Sequence, residues 1–145
     1  AMDGMTSVQN TMFQYMIGNT DFSVAYQHNG KLLYIGKTIY PLPYDFDLCG
    51  LVDASYAIVN ANLGINSVRE RKYRGFKRDE SLLQEVRDQI LSKKSDFFQI
   101  IEDQKLEFEL PSEYESTKKY LSSYFDVLEN DKAFEKNVIQ QMRTK

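Results

Sequence analysis

FSVAYQHNGKLLYIGK, residues Phe22 to Lys37, carries the decision on fold. Phe22, Val24 and Tyr26 alternate with Ser23, Ala25 and Gln27, the period of a half-buried strand. His28-Asn29-Gly30 then interrupts, and a second apolar run, Leu32 to Ile35, follows. Asn-Gly between two apolar runs is the strongest short-range hairpin signal, because both residues accept the positive φ of a type I′ turn. The reading is an antiparallel pair of Phe22–Gln27 with Lys31–Lys37.

Outward from that pair the chain alternates hairpins with helices. On the N-terminal side, Ser7–Ile17 places Val8, Met12, Tyr15 and Met16 on one helical face, and Gly18-Asn19 supplies a left-handed stop. On the C-terminal side, Pro41 and Pro43 hold Ile39–Tyr44 extended. Asp47 then caps an expected helix to about Leu63. Leu48, Leu51, Val52, Val59 and Leu63 line one of its faces, and Gly50, Ala54, Ala57 and Ala61 another. Asp79 opens a further helix to about Ser92, with Leu82, Val86 and Ile90 as its stripe. FFQII, Phe97 to Ile101, and the alternating Lys105–Leu110 predict a second hairpin, closed by Pro111. Ser112 and Glu115 form a capping box for a helix carrying Tyr114, Leu121, Tyr124, Phe125 and Leu128. A last helix carries Phe134, Val138 and Met142, and the tail Met142–Lys145 is expected to fray.

The order α-ββ-αα-ββ-αα predicts an α+β fold: one antiparallel sheet built from two β-hairpins, with helices packed on one face. The length of 145 residues fits one domain. Ala1-Met2-Asp3-Gly4, ahead of Met5, reads as an expression scar, leaving 5–145 as a single α+β domain. Cys49 stands alone, which rules out an intramolecular disulfide and suits a reducing, intracellular setting, cytoplasmic or nuclear. No apolar run reaches the length of a membrane span, so no membrane partner is expected.

Chemistry-bearing motifs are sparse. Gly30 to Thr38 has five residues between its glycines, one more than a phosphate loop, and they lie on an expected strand. One His and one Cys fall short of a structural zinc set. Asp45-Phe46-Asp47 is read as helix capping, with Asp47 as the cap, and no metal or other cofactor is expected. His28 and Cys49 do not make a convincing nucleophile–base pair, since one sits in a turn and the other beside a packed face.

Ala25–Thr38, AYQHNGKLLYIGKT, resembles the second half of the GIY-YIG nuclease core, with Tyr34-Ile35-Gly36 as its YIG. That resemblance implies phosphodiester cleavage by a first-strand Tyr, an Arg on the following helix and a later metal-binding Glu. Here Asp21-Phe22-Ser23 stands in place of GIY, and Leu48–Leu63 contains neither Arg nor Glu. The helix–hairpin–helix opening is also similar in element order to roadblock and longin-like dimerisation modules.

Against this background Arg69–Arg78, RERKYRGFKR, stands out. Arg69, Arg71, Lys72, Arg74, Lys77 and Arg78 face a single acid, Glu70, giving +5 inside a chain of net charge −3. Tyr73 and Phe76 are interleaved, able to stack on bases or anchor a partner. Residues 102–136 carry ten acids against five lysines, a counter-charge available in the same fold or in a second copy. The expectation is a non-enzymatic protein-interaction or regulatory domain acting as a subunit of a complex. Its binding residues would be Arg69, Arg71, Lys72, Tyr73, Arg74, Phe76, Lys77 and Arg78, and its partner an acidic protein surface or a second copy. The alternatives are a nucleic-acid-binding accessory protein using the same segment and a divergent enzyme related to the GIY-YIG nucleases.

Overall fold

The computed structural model describes residues 1–145. Five helices and one two-stranded antiparallel sheet make a mixed α and β architecture. Helix α1 (Gly4–Ile17) is the central element. Its side chains Val8, Met12, Tyr15, Met16 and Ile17 are buried against α2 (Glu80–Ser92) and α4 (Pro111–Leu128). Leu83 and Val86 of α2, Leu121, Tyr124, Phe125 and Leu128 of α4, and Cys49, Tyr73, Phe134, Val138 and Ile139 complete the core. Helix α3 (Lys94–Asp103) lies along α4, and α5 (Asp131–Asn137) follows it with one 3₁₀ turn, Ile139–Gln141. Tyr124 ties the centre together: its ring sits 5.8 Å from that of Tyr15 and its hydroxyl donates to the Met12 carbonyl at 3.3 Å.

α1 begins before the expected Ser7. The Asp3 side chain accepts from the Thr6 N–H at 2.7 Å, so Asp3 is its N-cap, and Gly18 at φ +66° is its left-handed C-cap.

The expected pairing of Phe22–Gln27 with Lys31–Lys37 is absent, and the chain forms a different hairpin one segment later. Strand β1 (Gly30–Ile35) pairs with β2 (Thr38–Pro43), with Leu33 opposite Tyr40 and Ile35 opposite Thr38. The turn is Gly36-Lys37, with Gly36 at φ +61°, the positive first position of a type II′ turn. Phe22–Gln27 is not a strand. It closes on itself through a single Ser23–His28 bridge, and Asn29 alone, at φ +50°, uses the left-handed freedom that Asn-Gly offers. Pro41 and Pro43, read as breaks, are strand residues. Ile39 exchanges hydrogen bonds outward with Ala1 and Asp3, so the two prolines, two and four residues on, direct their missing N–H to the outer edge and cost the ladder nothing.

Two larger expectations are corrected. Asp47–Leu63 is not a helix but a series of turns with one 3₁₀ turn, Ala61–Leu63. Its backbone donors go elsewhere: Gly50 N–H to the Gly18 carbonyl at 3.0 Å and Leu51 N–H to Ile17 at 2.9 Å, satisfying the orphan end of α1. A Cβ on Gly50 would stand 2.3 Å from the Val68 carbonyl, so the glycine serves close approach. The second hairpin is also absent: the order is α-ββ-αααα, with FFQII inside α3. Phe97, Phe98 and Ile101 pack on the core at helical spacing, while Leu106, in the alternating stretch, is 94% exposed. The expected Ser112–Glu115 capping box does not form: Pro111 starts α4 with Leu110 as N-cap, and the Glu113 carboxylate accepts from the Leu110 N–H at 3.2 Å.

The turn assignment is tested by paired substitutions. Gly36→Ala is expected to cost about 1–2 kcal/mol, the strain of a left-handed L-residue, since nothing stands within 4 Å of the new methyl. Gly30→Ala, whose Cβ meets only backbone carbonyls, the nearest that of Leu42 at 3.6 Å, should shift stability by less than about 0.5 kcal/mol in urea unfolding. The reverse ranking would restore the Asn29-Gly30 turn.

Candidate functional site

The basic segment runs as a strap across the C-terminal end of α1 and the flank of α4, and its cations divide into two sets. Arg71 faces inward. Its Nε donates to the Met16 carbonyl at 3.1 Å, one Nη to the Tyr120 carbonyl at 2.6 Å and the other to Ser123 Oγ at 2.6 Å. The guanidinium lies 3.8 Å from the centre of the Tyr120 ring. Met16 is in the last turn of α1, where carbonyls lack intrahelical partners and the helix dipole favours a cation. Only the planar five-donor fork of Arg can serve three such acceptors at once. Burial pulls its pKa below the ordinary arginine value, and it remains charged.

Its neighbours do similar work. Arg69 donates to the Gly50 carbonyl at 2.8 Å and to Ser116, and its guanidinium lies 4.6 Å from the centre of the same Tyr120 ring. Arg74 donates to the carbonyls of Thr20 and Phe22, the latter at 3.0 Å, pinning the irregular stretch after α1. Tyr73 is fully buried, with its hydroxyl 2.9 Å from Thr11 Oγ1 and its ring 6.0 Å from that of Tyr15. Gly75 closes over that ring, where a Cβ would stand only 2.3 Å from the Tyr73 hydroxyl.

The counter-charge is therefore not the acidic third of the chain. The strap forms one ion pair, Arg69 with Asp53 at 3.6 Å. The acids of residues 102–136 that do pair meet other cations: Glu129 meets Lys94, and Asp131 meets Arg87 at 2.9 Å. Main-chain carbonyls and aromatic faces neutralise the inward half of the island.

The outward set is Phe76 and Lys77, both exposed, with Lys72 and Arg78 half-buried. Here the C-terminal tail, expected to fray, is pinned: Arg143 N–H donates to the Gly75 carbonyl and the Lys77 N–H to the Arg143 carbonyl, both at 2.8 Å. This pairing carries the Arg143 side chain over the Phe76 ring, 4.8 Å from its centre. A cleft of about 280 Å³ opens beside it, reached by Arg74, Arg78 and Arg143 and by no carboxylate. Burial, and then the charge of Arg143, lower the pKa of Arg74. Arg143 escaped sequence reasoning because it lies 65 residues beyond Arg78, in a tail without periodicity.

A second exposed feature is the hairpin. The outer edge of β2 is covered at Ile39 by Ala1 and Asp3 and blunted by Pro41 and Pro43. The outer edge of β1 is bare: no backbone group of Gly30, Leu32 or Tyr34 is paired there. Leu33, Tyr34 and Ile35 are 44%, 64% and 59% exposed.

The remaining candidates are placed as follows. Tyr34-Ile35-Gly36, the YIG-like triplet, ends β1 and enters its turn, with β2 rather than Phe22–Gln27 as its partner. His28 Nε2 lies 2.9 Å from Asp21 Oδ1 in a solvated turn. Cys49 is in the core, where burial raises its thiol pKa. Asp47 caps no helix and accepts from the Tyr56 hydroxyl at 3.1 Å.

The division of the strap predicts unequal mutants. Arg71→Met should destabilise by about 3 kcal/mol or more, because it strips charge-assisted donors from two half-buried carbonyls and removes the contact with the Tyr120 ring. Lys77→Ala, at an exposed side chain with no partner, should stay within about 0.5 kcal/mol. Thermal and urea unfolding of the two variants measure the difference, and equal small losses would return Arg71 to the solvated set.

No family model, curated protein or solved structure matches this chain.

Proposed function

We propose that this chain is a non-catalytic protein-interaction domain that associates with a second copy of itself through β1. The observation that supports this reading is the asymmetry of the hairpin: one edge is capped and proline-blunted, the other unpaired and flanked by exposed Leu33, Tyr34 and Ile35. A bare edge is a template for one more strand.

The strand suits itself as partner. Its outward backbone groups belong to Gly30, Leu32 and Tyr34, so an antiparallel copy can seat Leu32 opposite Tyr34 twice, about a two-fold axis at Leu33. That register sets Lys31 opposite Ile35 and keeps the two Lys31 ammonium groups apart. It turns an isolated two-stranded ribbon, marginal by itself, into a four-stranded sheet. The interior engagement of Arg69 and Arg71 weakens the nucleic-acid alternative, which needs those cations at the surface.

Sedimentation equilibrium tests it. The parent chain should dimerise, and Leu33→Lys with Ile35→Lys should weaken dimerisation by about tenfold or more, because like charges then meet on the axis and an apolar contact is lost. Both side chains are exposed, so the variant should keep the parental melting behaviour extrapolated to low concentration. A parent that stays monomeric at millimolar concentration contradicts the proposal, as does a folded variant that dimerises like the parent.

A further inference from the structure

We propose that the cleft between the strap, the first turns of α1 and the C-terminal tail is a binding site for the phosphoryl group of a phosphate monoester carrying an apolar or aromatic substituent. Three guanidinium groups from two distant parts of the chain, Arg74, Arg78 and Arg143, reach one cleft of about 280 Å³. None of the three forms an ion pair. Arg78 Nη2 is 3.4 Å from Ser7 Oγ, and Arg74 spends one nitrogen on the Thr20 and Phe22 carbonyls. The side-chain nitrogens of Arg143 have no hydrogen-bond partner in the protein. Most of the donor capacity of the cluster is therefore uncommitted.

The one carboxylate whose field reaches Arg74 is that of Asp21, and it is engaged by His28 at 2.9 Å and by Asn29 Nδ2 at 3.0 Å. Like charges held together by the fold, without an internal anion, mark a place where an external one lowers the energy. Guanidinium forks match phosphate oxygens bidentately, and a monoester carries nearly two negative charges at neutral pH. Ser7 Oγ adds a neutral donor at the same rim.

The walls decide the substituent. Phe22 lies beneath Arg74, 5.4 Å from the guanidinium to the ring centre, and Phe76 beneath Arg143. Each ring offers an apolar face beside the cationic groups, and the volume holds a phosphoryl group with a small substituent rather than a length of duplex. The pairing of Arg143 with Gly75 and Lys77 makes the tail part of the site. Leu32 of β1 lines the far wall of the cleft, while the three arginines that would hold the phosphoryl group belong to the strap and the tail.

Calorimetric titration of the full chain with phenyl phosphate tests the proposal, with benzoate as the single-charge control. Phenyl phosphate should bind and benzoate should bind at least about tenfold more weakly. Arg143→Gln, which removes a side chain with no internal partner, should fold as the parent does and lose about tenfold or more in affinity. Lys136→Gln, on α5, should change nothing. A phosphotyrosine peptide binding more tightly than phenyl phosphate would assign the phosphoryl group to a protein side chain, and a nucleoside monophosphate binding more tightly would assign it to a small molecule. Absence of phenyl phosphate binding, equal binding of benzoate, or parental affinity in folded Arg143→Gln would each overturn the site.

Discussion

The guanidinium of Arg71 joins three things that share no sequence neighbourhood: the last turn of α1, the middle of α4 and the strap itself. Taking such a group out of water costs several kcal/mol, and the cost is offset only if its nitrogens find acceptors in good geometry. Here three of its five N–H groups donate, to two carbonyls and a hydroxyl, one on each nitrogen, and its face lies on the Tyr120 ring. Charge-assisted hydrogen bonds contribute about 1.5–3 kcal/mol each net of the water they replace. Arg87 repeats the device at the other end of the helical layer, donating to the Leu128 carbonyl at 2.6 Å as α4 ends and pairing with Asp131 at the start of α5. Helices α1 and α4 thus both end on a guanidinium, the sign of charge that their dipoles favour.

From that clamp the surfaces follow. With Arg69, Arg71 and Tyr73 turned to the interior and Arg74 held through one nitrogen by the Thr20 and Phe22 carbonyls, the strap exposes mainly its second half. The parallel bridge between Phe76 and Arg143 brings the tail alongside that half and adds a guanidinium to its rim. The hairpin, meanwhile, is hydrogen-bonded outward through β2 to Ala1 and Asp3, while the outer backbone groups of β1 are unpaired. The two exposed features have separate structural causes, and one can fail without the other.

The helices with a clear apolar stripe were legible in the sequence: α1, α2 and α4 fall where Val8/Met12, Leu82/Val86 and Leu121/Tyr124 place them, while the last helix, expected to carry Phe134, Val138 and Met142, stops at Asn137. What was not legible depended on distant partners. Asn29-Gly30 and Gly36-Lys37 are both competent turns; the second is used, and the Asn29 side chain is held by Asp21 instead. Gly50 and Leu51 follow a helical pattern, yet their N–H groups are claimed by the carbonyls ending α1. FFQII reads equally as a buried strand or a helix segment, an ambiguity that periodicity cannot resolve in so short a run. The charge island was legible as an island. That its acceptors would be Met16, Tyr120, Thr20 and Phe22 carbonyls rather than the acids of the last third was not, because carbonyls leave no trace in composition.

The central claim is that Arg71 is a fixed internal cation. Nitrogen-15 NMR of the arginine side chains tests it most directly. A fixed Arg71 should show an Nε–H that is protected from solvent exchange and Nη groups that resolve separately, because rotation about the Nε–Cζ bond is blocked on both sides. Arg143, whose side-chain nitrogens have no partner, should show none of this. An Arg71 guanidinium that averages its Nη signals and exchanges as fast as a free arginine would contradict the claim.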